Sequence, residues 1–147
     1  MTIVKIPIAL ISTFLWIGFV CVICFMEAYL KFHAPGITLP LGLDVGRVVF
    51  NALNSVEWVF EMVIFISIVW NSAEVLDWQS IFFVVLLILL LIQTFWLLPA
   101  LDIRAELYIS GQIAPASNLQ FYYLGMEIVK VASLTIFGLK KFKNTTI

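Results

Sequence analysis

The chain has 147 residues, of which 63% are hydrophobic, 15% aromatic and 12% charged. Soluble domains average about half apolar and about a quarter charged residues. This composition, with a mean hydropathy of +1.12, is therefore that of an integral membrane protein. Four helical spans of about 20 residues each would leave only short connections, so we expect no separate soluble catalytic domain. A formal net charge of −1 and the lack of a basic patch exclude nucleic-acid binding.

The first predicted span, residues 6–26, begins just after Lys5 and is apolar throughout. Pro7 lies in its first turn, where the missing N–H costs little. A secretory signal peptide is the alternative interpretation. The apolar run is longer than a typical signal core, and no small-residue cleavage site follows it. We therefore expect this segment to cross the membrane.

Three more spans are predicted, at residues 47–70, 81–98 and 118–139. The two long polar connections are predicted at residues 27–46 and 100–117. Glycine and proline in both connections disfavour a continuous helix, and we expect Pro99 to end the third span. The predicted fold is an all-α, four-helix transmembrane bundle in up-down order, forming one domain over residues 1–147.

Charge placement predicts the orientation of the chain. Four spans put both termini on one side of the membrane, and the lysines on that side are Lys5, Lys140, Lys141 and Lys143. The basic residues on the other side lie among acids and are Lys31, Arg47 and Arg104. The positive-inside rule thus predicts cytoplasmic termini, in the inner (plasma) membrane of a bacterium.

The two halves of the chain share a spacing that indicates a parallel hairpin repeat. The matching triplets are Glu27, Gly36, Pro40 and Asp102, Gly111, Pro115. With a five-residue gap, Glu57 then matches Glu127. Two hairpins entering from the same side would be related by an axis along the membrane normal. Four matched positions with one gap permitted are few, so coincidence is the alternative interpretation and both stay open.

Ionisable residues inside the predicted spans are the most informative feature of the sequence. A charge at the bilayer centre costs at least ~2.5–3.5 kcal/mol. Glu57 follows Arg47 by ten residues, about 15 Å of helix, and Glu127 lies at a similar depth in the fourth span. The predicted intramembrane pathway consists of Asn51, Asn54, Glu57, Glu61, Glu127 and Lys130.

These buried groups allow two functions. Lys130 lies one turn from Glu127 and can pair with it inside one helix, which leaves Glu57 and Glu61 without a cation. Such acids would take up a proton or a cation, which predicts a proton- or cation-linked transporter or channel module acting as an oligomer. Alternatively, the groups join helices within the chain or in a partner. The protein would then be a non-catalytic accessory or assembly subunit of a larger membrane complex.

A second group of charges is predicted to form an extracytoplasmic mouth. It consists of Glu27, Lys31, Arg47, Asp102, Arg104 and Glu106. If the two connections share one face, the three cations would surround an anionic ligand. The alternative is that these are solvated charges paired with nearby acids.

Several kinds of chemistry are not expected. A single histidine, His33, excludes bis-histidine haem ligation within the chain and disfavours an ordinary zinc site. The C-V-I-C run of Cys21 and Cys24 is similar to that of quinone-linked thiol oxidoreductases. Those enzymes use a second cysteine pair, and a thiolate is disfavoured in an apolar helix. We predict no catalytic residue, no metal and no cofactor, and we do not expect an enzyme.

Several short runs carry a resemblance to known proteins. They are Glu27–Lys31–Pro35-Gly36, Gly46-Arg47, Asn54-x-x-Glu57-Trp58 and Leu98-Pro99-x-x-Asp102-x-Arg104. Together they resemble a family of small bacterial four-span membrane proteins without an assigned function. The resemblance implies the architecture and carries over no activity and no site residue.

The expected partners follow from size. A four-helix bundle encloses little volume, so we expect the protein to associate, within the lipid bilayer, with itself or with another integral membrane protein. Small residues that allow close approach lie on the fourth predicted span at Gly125, Ala132 and Ser133.

Overall fold

The computed structural model describes residues 7–70, 80–115 and 117–143, which contain helices and short connections but no β-strand. The helices are α1 (Pro7–Val20), α2 (Ala28–His33), α3 (Leu39–Trp70), α4 (Ser80–Ile92), α5 (Leu98–Ile109) and α6 (Leu119–Lys143). The π-helical turns Cys21–Glu27 and Gln93–Leu97 continue α1 into α2 and α4 into α5. The described chain is therefore all-α, as predicted.

Four helical segments are long and apolar enough to cross a membrane. They are Pro7–Met26, Leu39–Trp70, Ile81–Ile109 and Leu119–Phe142, and we call them the first to fourth spans. Each has at least the 20 residues that a hydrocarbon core of about 30 Å requires. The structure thus contains the four candidate membrane-spanning helices that the composition predicts.

The four spans pack in a closed ring, in which the first and third each contact the second and fourth. Neighbouring spans run in opposite directions. Phe65 stacks on Phe83 near one end of the second and third spans, and Arg47 meets Glu106 near the other end. The corresponding contacts of the third and fourth spans are Phe82 with Lys140 and Gln93 with Glu127.

The exterior of the bundle is apolar, and the interior carries the polar groups. Large side chains such as Phe95 and Phe121, 74% and 73% exposed, point outward along the described spans. Soluble monomers rarely expose contiguous apolar surface of this kind, whereas lipid-facing helices require it. The apolar part of the interior includes the fully buried Trp16, Leu53, Leu90, Leu97, Leu134 and Phe137.

The first connection is much shorter than the sequence predicts. α2 ends at His33 and α3 begins at Leu39, so the predicted start of the second span near Arg47 is wrong by eight residues. Pro40 does not prevent this early start. It occupies the second position of α3, where a backbone N–H would have no partner within the helix.

The prediction that Pro99 ends the third helix is also wrong, because the helix continues to Ile109. Proline removes one helical hydrogen bond, and its ring clashes with the carbonyl four residues earlier. The π-helical turn just before Pro99 provides room. There the Leu98 N–H bonds to the Gln93 carbonyl, five residues back, which widens the helix ahead of the proline ring.

Both connections turn at a glycine. Gly36 follows α2 with a φ of 86°, and Gly111 follows α5 with a φ of 76°. Residues with a side chain rarely adopt this left-handed conformation. The same two glycines belong to the spacing that indicates a hairpin repeat, so each half of the chain makes the same kind of turn at its matched glycine.

Close helix approach occurs at a different glycine from the predicted one. A Cβ atom at Gly138 would lie 3.3 Å from Thr13 Cγ2 and 3.4 Å from Phe14 Cζ, both on the first span. At Gly125 the same atom would meet nothing within 4 Å, and Ala132 is exposed. Of the three predicted small residues, only Ser133 is buried.

Candidate functional site

Four ionisable side chains come together inside the bundle. Glu57 and Glu61 lie one turn apart on the second span, and Glu127 and Lys130 lie one turn apart on the fourth. None of the four is more than 1% exposed. We call these four residues the buried charge cluster.

Lys130 is the cation at the centre of this cluster. Its Nζ lies 2.5 Å from Glu57 Oε1 and 2.9 Å from Glu127 Oε1. Pairing of Lys130 with Glu127 inside one helix was expected from spacing, but the expectation that Glu57 lacks a cation is wrong. The lysine stem is long enough for one ammonium group, with its three donors, to bridge the second and fourth spans.

Two neutral donors from the other spans complete the hydrogen bonding. Trp16 Nε1 on the first span donates to Glu57 Oε1 over 3.0 Å, and Gln93 Nε2 on the third donates to Glu127 Oε1 over 2.7 Å. All four spans therefore contribute to one polar layer. In each half of the chain, a side chain on the first span of the hairpin donates a hydrogen bond to the glutamate on the second span.

The sequence did not select these two donors. Trp16 stands in an apolar run that gives no sign of a buried acceptor nearby. Gln93 does give a signal, because an amide in the middle of an apolar helix needs a partner. Only the three-dimensional packing identifies that partner as Glu127.

The buried charge cluster contains more acceptor atoms than donors. Several buried polar atoms have no hydrogen-bond partner in the described structure: Glu57 Oε2, Glu127 Oε2, Gln93 Oε1, Tyr123 Oη and both carboxyl oxygens of Glu61. Buried polar groups are hydrogen-bonded in the great majority of cases. An accumulation of such atoms in one layer indicates that a proton, water or ion belongs there.

Glu61 differs from the other two acids. It interacts electrostatically with Lys130 and Glu57, but neither of its oxygens accepts a hydrogen bond. Its side chain is 1% exposed, so bulk water does not solvate it. Among the three carboxyl groups of the cluster, Glu61 is therefore the one that forms no hydrogen bond between helices.

Charge balance sets a requirement on the cluster. Three ionised carboxylates against one ammonium group leave an excess of two negative charges. An unpaired charge in a low-dielectric interior costs several kcal/mol. Electrical neutrality therefore needs two further positive charges, supplied by protons or by a bound cation.

Metal-ion binding fits the cluster poorly. Among the residues that the structure describes, no group of three or more His, Cys, Asp or Glu side chains is arranged to hold a metal ion. Hard cations such as Ca²⁺ take about 6–8 oxygen ligands. Protons need only one oxygen each, and the unpartnered carboxyl oxygens provide several.

A second polar contact joins the second and third spans. Trp58 Nε1 donates to Thr94 Oγ1 over 3.0 Å, and Thr94 Oγ1 lies 3.0 Å from Asn54 Oδ1 and 2.8 Å from the Leu90 carbonyl. The single hydroxyl proton serves one of these two acceptors at a time. Asn54 is buried, and its Nδ2 has no partner.

Asn51 lies outside the buried layer. It is exposed, and its amide donates to the Arg47 carbonyl over 2.9 Å and to Asp102 Oδ1 over 3.4 Å. The structure therefore places this predicted pathway residue at the surface, near the end of the bundle that carries Asp102.

Within the predicted mouth, Arg47 is paired with two acids, whereas Arg104 Nη1 is buried and has no hydrogen-bond partner in the part of the chain that the structure describes. Arg47 contacts Asp44 Oδ1 at 2.8 Å and Glu106 Oε1 at 3.4 Å, so its guanidinium is already shared between two acids. Arg104 lies over the Tyr108 ring at 5.7 Å. The side chains of Glu27 and Lys31 lie outside the described part of the structure. These contacts favour paired charges over an anion site. The sequence analysis did not select Asp44, although its position one turn before Arg47 is a signal for such a pair.

A narrow cleft lies at this end of the bundle. Its lining includes Gly46, Arg47, Phe50, Leu101, Ala105 and Gln120. The ring of Phe50 packs against the ring of Tyr123, with centroids 4.5 Å apart. Tyr123 is 2% exposed and interacts electrostatically with Glu127 and Glu57. The two rings thus separate the cleft from the buried charge cluster.

The opposite side of the cluster combines large apolar side chains with buried hydroxyl groups. Its fully buried apolar residues include Ile64, Leu86, Leu134 and Phe137. Thr13, one turn before Trp16, is also fully buried, and Ser133, one turn after Lys130, is buried.

Comparisons with known proteins identify no relative: no family model, curated protein or solved structure matches this chain. The class of protein is accordingly defined by its fold and its site. It is an all-α chain with four candidate membrane-spanning helices and a buried charge cluster held by all four of them.

Proposed function

We propose that the protein is a proton- or cation-linked transporter or channel module. It would act as an oligomer in a bacterial inner membrane, with both termini in the cytoplasm and the spans in up-down order. The observation that carries the proposal is Glu61, a fully buried carboxyl group without a hydrogen-bond partner. It stands in a cluster that needs two additional positive charges.

A purely structural role explains Glu61 poorly. Hydrogen bonds between transmembrane helices contribute on average only ~0.6 kcal/mol each, and Glu61 makes none. A buried acid is more costly than an apolar side chain of similar size. An intramembrane acid that makes no hydrogen bond is best explained by a proton or ion that it binds.

An accessory subunit of a larger membrane complex is the second candidate. In that case the intramembrane charges would pair with helices of another protein. Lys130, Glu57 and Glu127 instead pair with one another inside a single chain, and the outward surfaces of the spans are apolar. This internal pairing supports the transport proposal more than the accessory one.

Proton flux in reconstituted liposomes tests the proposal. An imposed membrane potential drives protons, and a trapped pH-sensitive dye reports them. We expect the wild-type protein to conduct protons and Glu61→Gln to abolish the flux. Lys140→Gln, which removes an exposed charge at the opposite end of the bundle from the cleft, should conduct normally. Matching elution volume and helix content would show that all three proteins are folded.

Two outcomes would contradict the proposal. One is a folded wild-type protein that conducts no more than empty liposomes. The other is wild-type flux in Glu61→Gln. A stoichiometric partner protein in a mild-detergent pulldown from native membranes, together with absent flux, would support the accessory role.

A further inference from the structure

We propose that the ion that reaches the buried charge cluster is the proton, and that it enters from the Arg47 end through the cleft and past Tyr123. This inference rests on the proposed function. It adds the identity of the ion, the side of entry and the residue that passes the proton inward.

The size of the cleft limits what can enter. Its volume is about 20 Å³, enough for one water. A metal ion that keeps its hydration shell is larger than one water, and Mg²⁺ in particular dehydrates reluctantly. A proton needs only a water molecule to carry it, so the cleft is suited to protons.

Tyr123 is the group that connects the cleft to the cluster. Its ring packs on Phe50, which lines the cleft, and its buried hydroxyl interacts with Glu127. A phenol both donates and accepts. It can take a proton from a hydronium ion in the cleft while its own proton moves to a carboxylate oxygen of Glu127. One O–H bond forms and one breaks at the phenol, which ends neutral.

The cluster offers acceptors beyond Glu127. Glu127 and Glu57 share Lys130 Nζ, and Glu61 lies one turn beyond Glu57 on the same face. The titratable and charged groups around the path are Arg47 at the cleft, Cys24 beside Tyr123, and the cluster itself. Trp16 and Gln93 are neutral donors to the cluster. A proton that reaches Glu61 neutralises this carboxylate, which accepts no hydrogen bond from any donor of the described structure.

The far side of the cluster is filled largely by apolar side chains, among them Ile64, Leu86, Leu134 and Phe137. The buried hydroxyl groups on that side belong to Ser12, Thr13 and Ser133, and the Thr13 hydroxyl donates to the Ala9 carbonyl of its own helix. The cleft at the Arg47 end has room for a water molecule, and this room assigns the entry of the proton to that end.

Hydrogen–deuterium exchange of the protonated carboxyl groups, followed by infrared spectroscopy after a switch to D₂O, tests the route without requiring transport. The carboxylic-acid C=O band shifts when deuterium replaces the proton. We expect Tyr123→Phe to slow this shift about tenfold, which equals about 1.4 kcal/mol in the barrier. Phe50→Ala, which removes the ring that covers Tyr123, should accelerate it.

Phe137→Ala is the matched control, because it makes the same change on the opposite side of the cluster. We expect it to leave the exchange rate unaltered. If an alanine variant fails to fold, Phe50→Leu and Phe137→Leu make the same comparison with a smaller loss of volume. Faster exchange in the Phe137 variant but not in the Phe50 variant would overturn the route, and so would equal rates in all variants.

The identity of the ion is tested with sodium. Replacing Na⁺ by choline in the liposome assay should leave the flux unchanged, whereas a requirement for Na⁺ would overturn the proton assignment. Failure of the inference and failure of the proposed function remain distinguishable. Exchange that depends on Tyr123 without any flux would support the route and contradict transport.

Discussion

Lys130 on the fourth span donates a hydrogen bond to Glu57 on the second span, across 73 residues of sequence. The same ammonium group lies 2.9 Å from Glu127 in its own helix. All three side chains are fully buried. This contact connects opposite corners of the four-helix ring, so the folded bundle depends on one buried cation more than on any surface charge.

Removing that cation should destabilise the protein strongly. We expect Lys130→Met to lower the free energy of unfolding by about 3–5 kcal/mol, because it leaves buried acids without their cation. The measurement is reversible unfolding in mixed detergent micelles. Adding Glu57→Gln to the same chain should recover part of the loss, since one acid is then removed.

The double variant provides the check on this interpretation. If the effects of Lys130→Met and Glu57→Gln simply add, the two side chains are not coupled. Such additivity would contradict the described contact.

The contact between the second and third spans should also contribute to stability. Thr94→Val removes the acceptor of Trp58 Nε1 and the partner of Asn54. The change leaves the Trp58 donor and the Asn54 Oδ1 acceptor without this partner, and an unpaired buried polar group costs about 1–3 kcal/mol. Thr135→Val is the control, because the Thr135 hydroxyl bonds only to the Val131 carbonyl of its own helix. Equal losses in the two variants would argue against an interhelical role for Thr94.

Glycine packing gives a prediction on the first and fourth spans. Gly138→Leu should destabilise the bundle by about 1–3 kcal/mol, because overpacking displaces neighbouring side chains. Here the neighbours are Thr13 and Phe14. Gly125→Leu makes the same change where nothing lies within 4 Å and should be tolerated. Thermal unfolding in detergent compares the two, and greater damage at Gly125 would refute the described packing.

Much of the architecture could be predicted from the sequence, because apolar runs of about 20 residues have few other stable forms. The ends of the helices could not. Pro40 and Pro99 break helices in most contexts, yet one occupies a helix start and the other follows a π-helical turn. Whether a proline breaks a helix depends on the backbone geometry of the preceding turn, which composition does not reveal.

The polar residues of the site could be selected from the sequence, but not their partners. Buried acids are conspicuous in an apolar helix, so Glu57, Glu61 and Glu127 were selected. The donors Trp16 and Gln93 were missed because hydrogen bonding across the bundle depends on how the helices are rotated against each other. Helical spacing determines which residues share a face, but not which face of the neighbouring helix they meet.

The neutral variant of Glu61 should separate stability from function. Glu61→Gln keeps the shape of the side chain and removes the group that binds a proton, and no hydrogen bond is lost from either Glu61 oxygen. We therefore expect the variant to unfold at nearly the wild-type temperature, while Glu57→Gln, which alters bonds to Trp16 and Lys130, shifts it. A large destabilisation in Glu61→Gln would indicate a structural role.

The protonation state of the buried acids at neutral pH is the most direct test of the account. Infrared spectra of the purified protein distinguish carboxylic acids from carboxylates. We predict a carboxylic-acid band that corresponds to two protonated groups per chain, loses intensity in Glu61→Gln and is unchanged in Glu106→Gln. A spectrum without this band, or a band that Glu61→Gln leaves intact, would contradict the claim that the cluster holds protons.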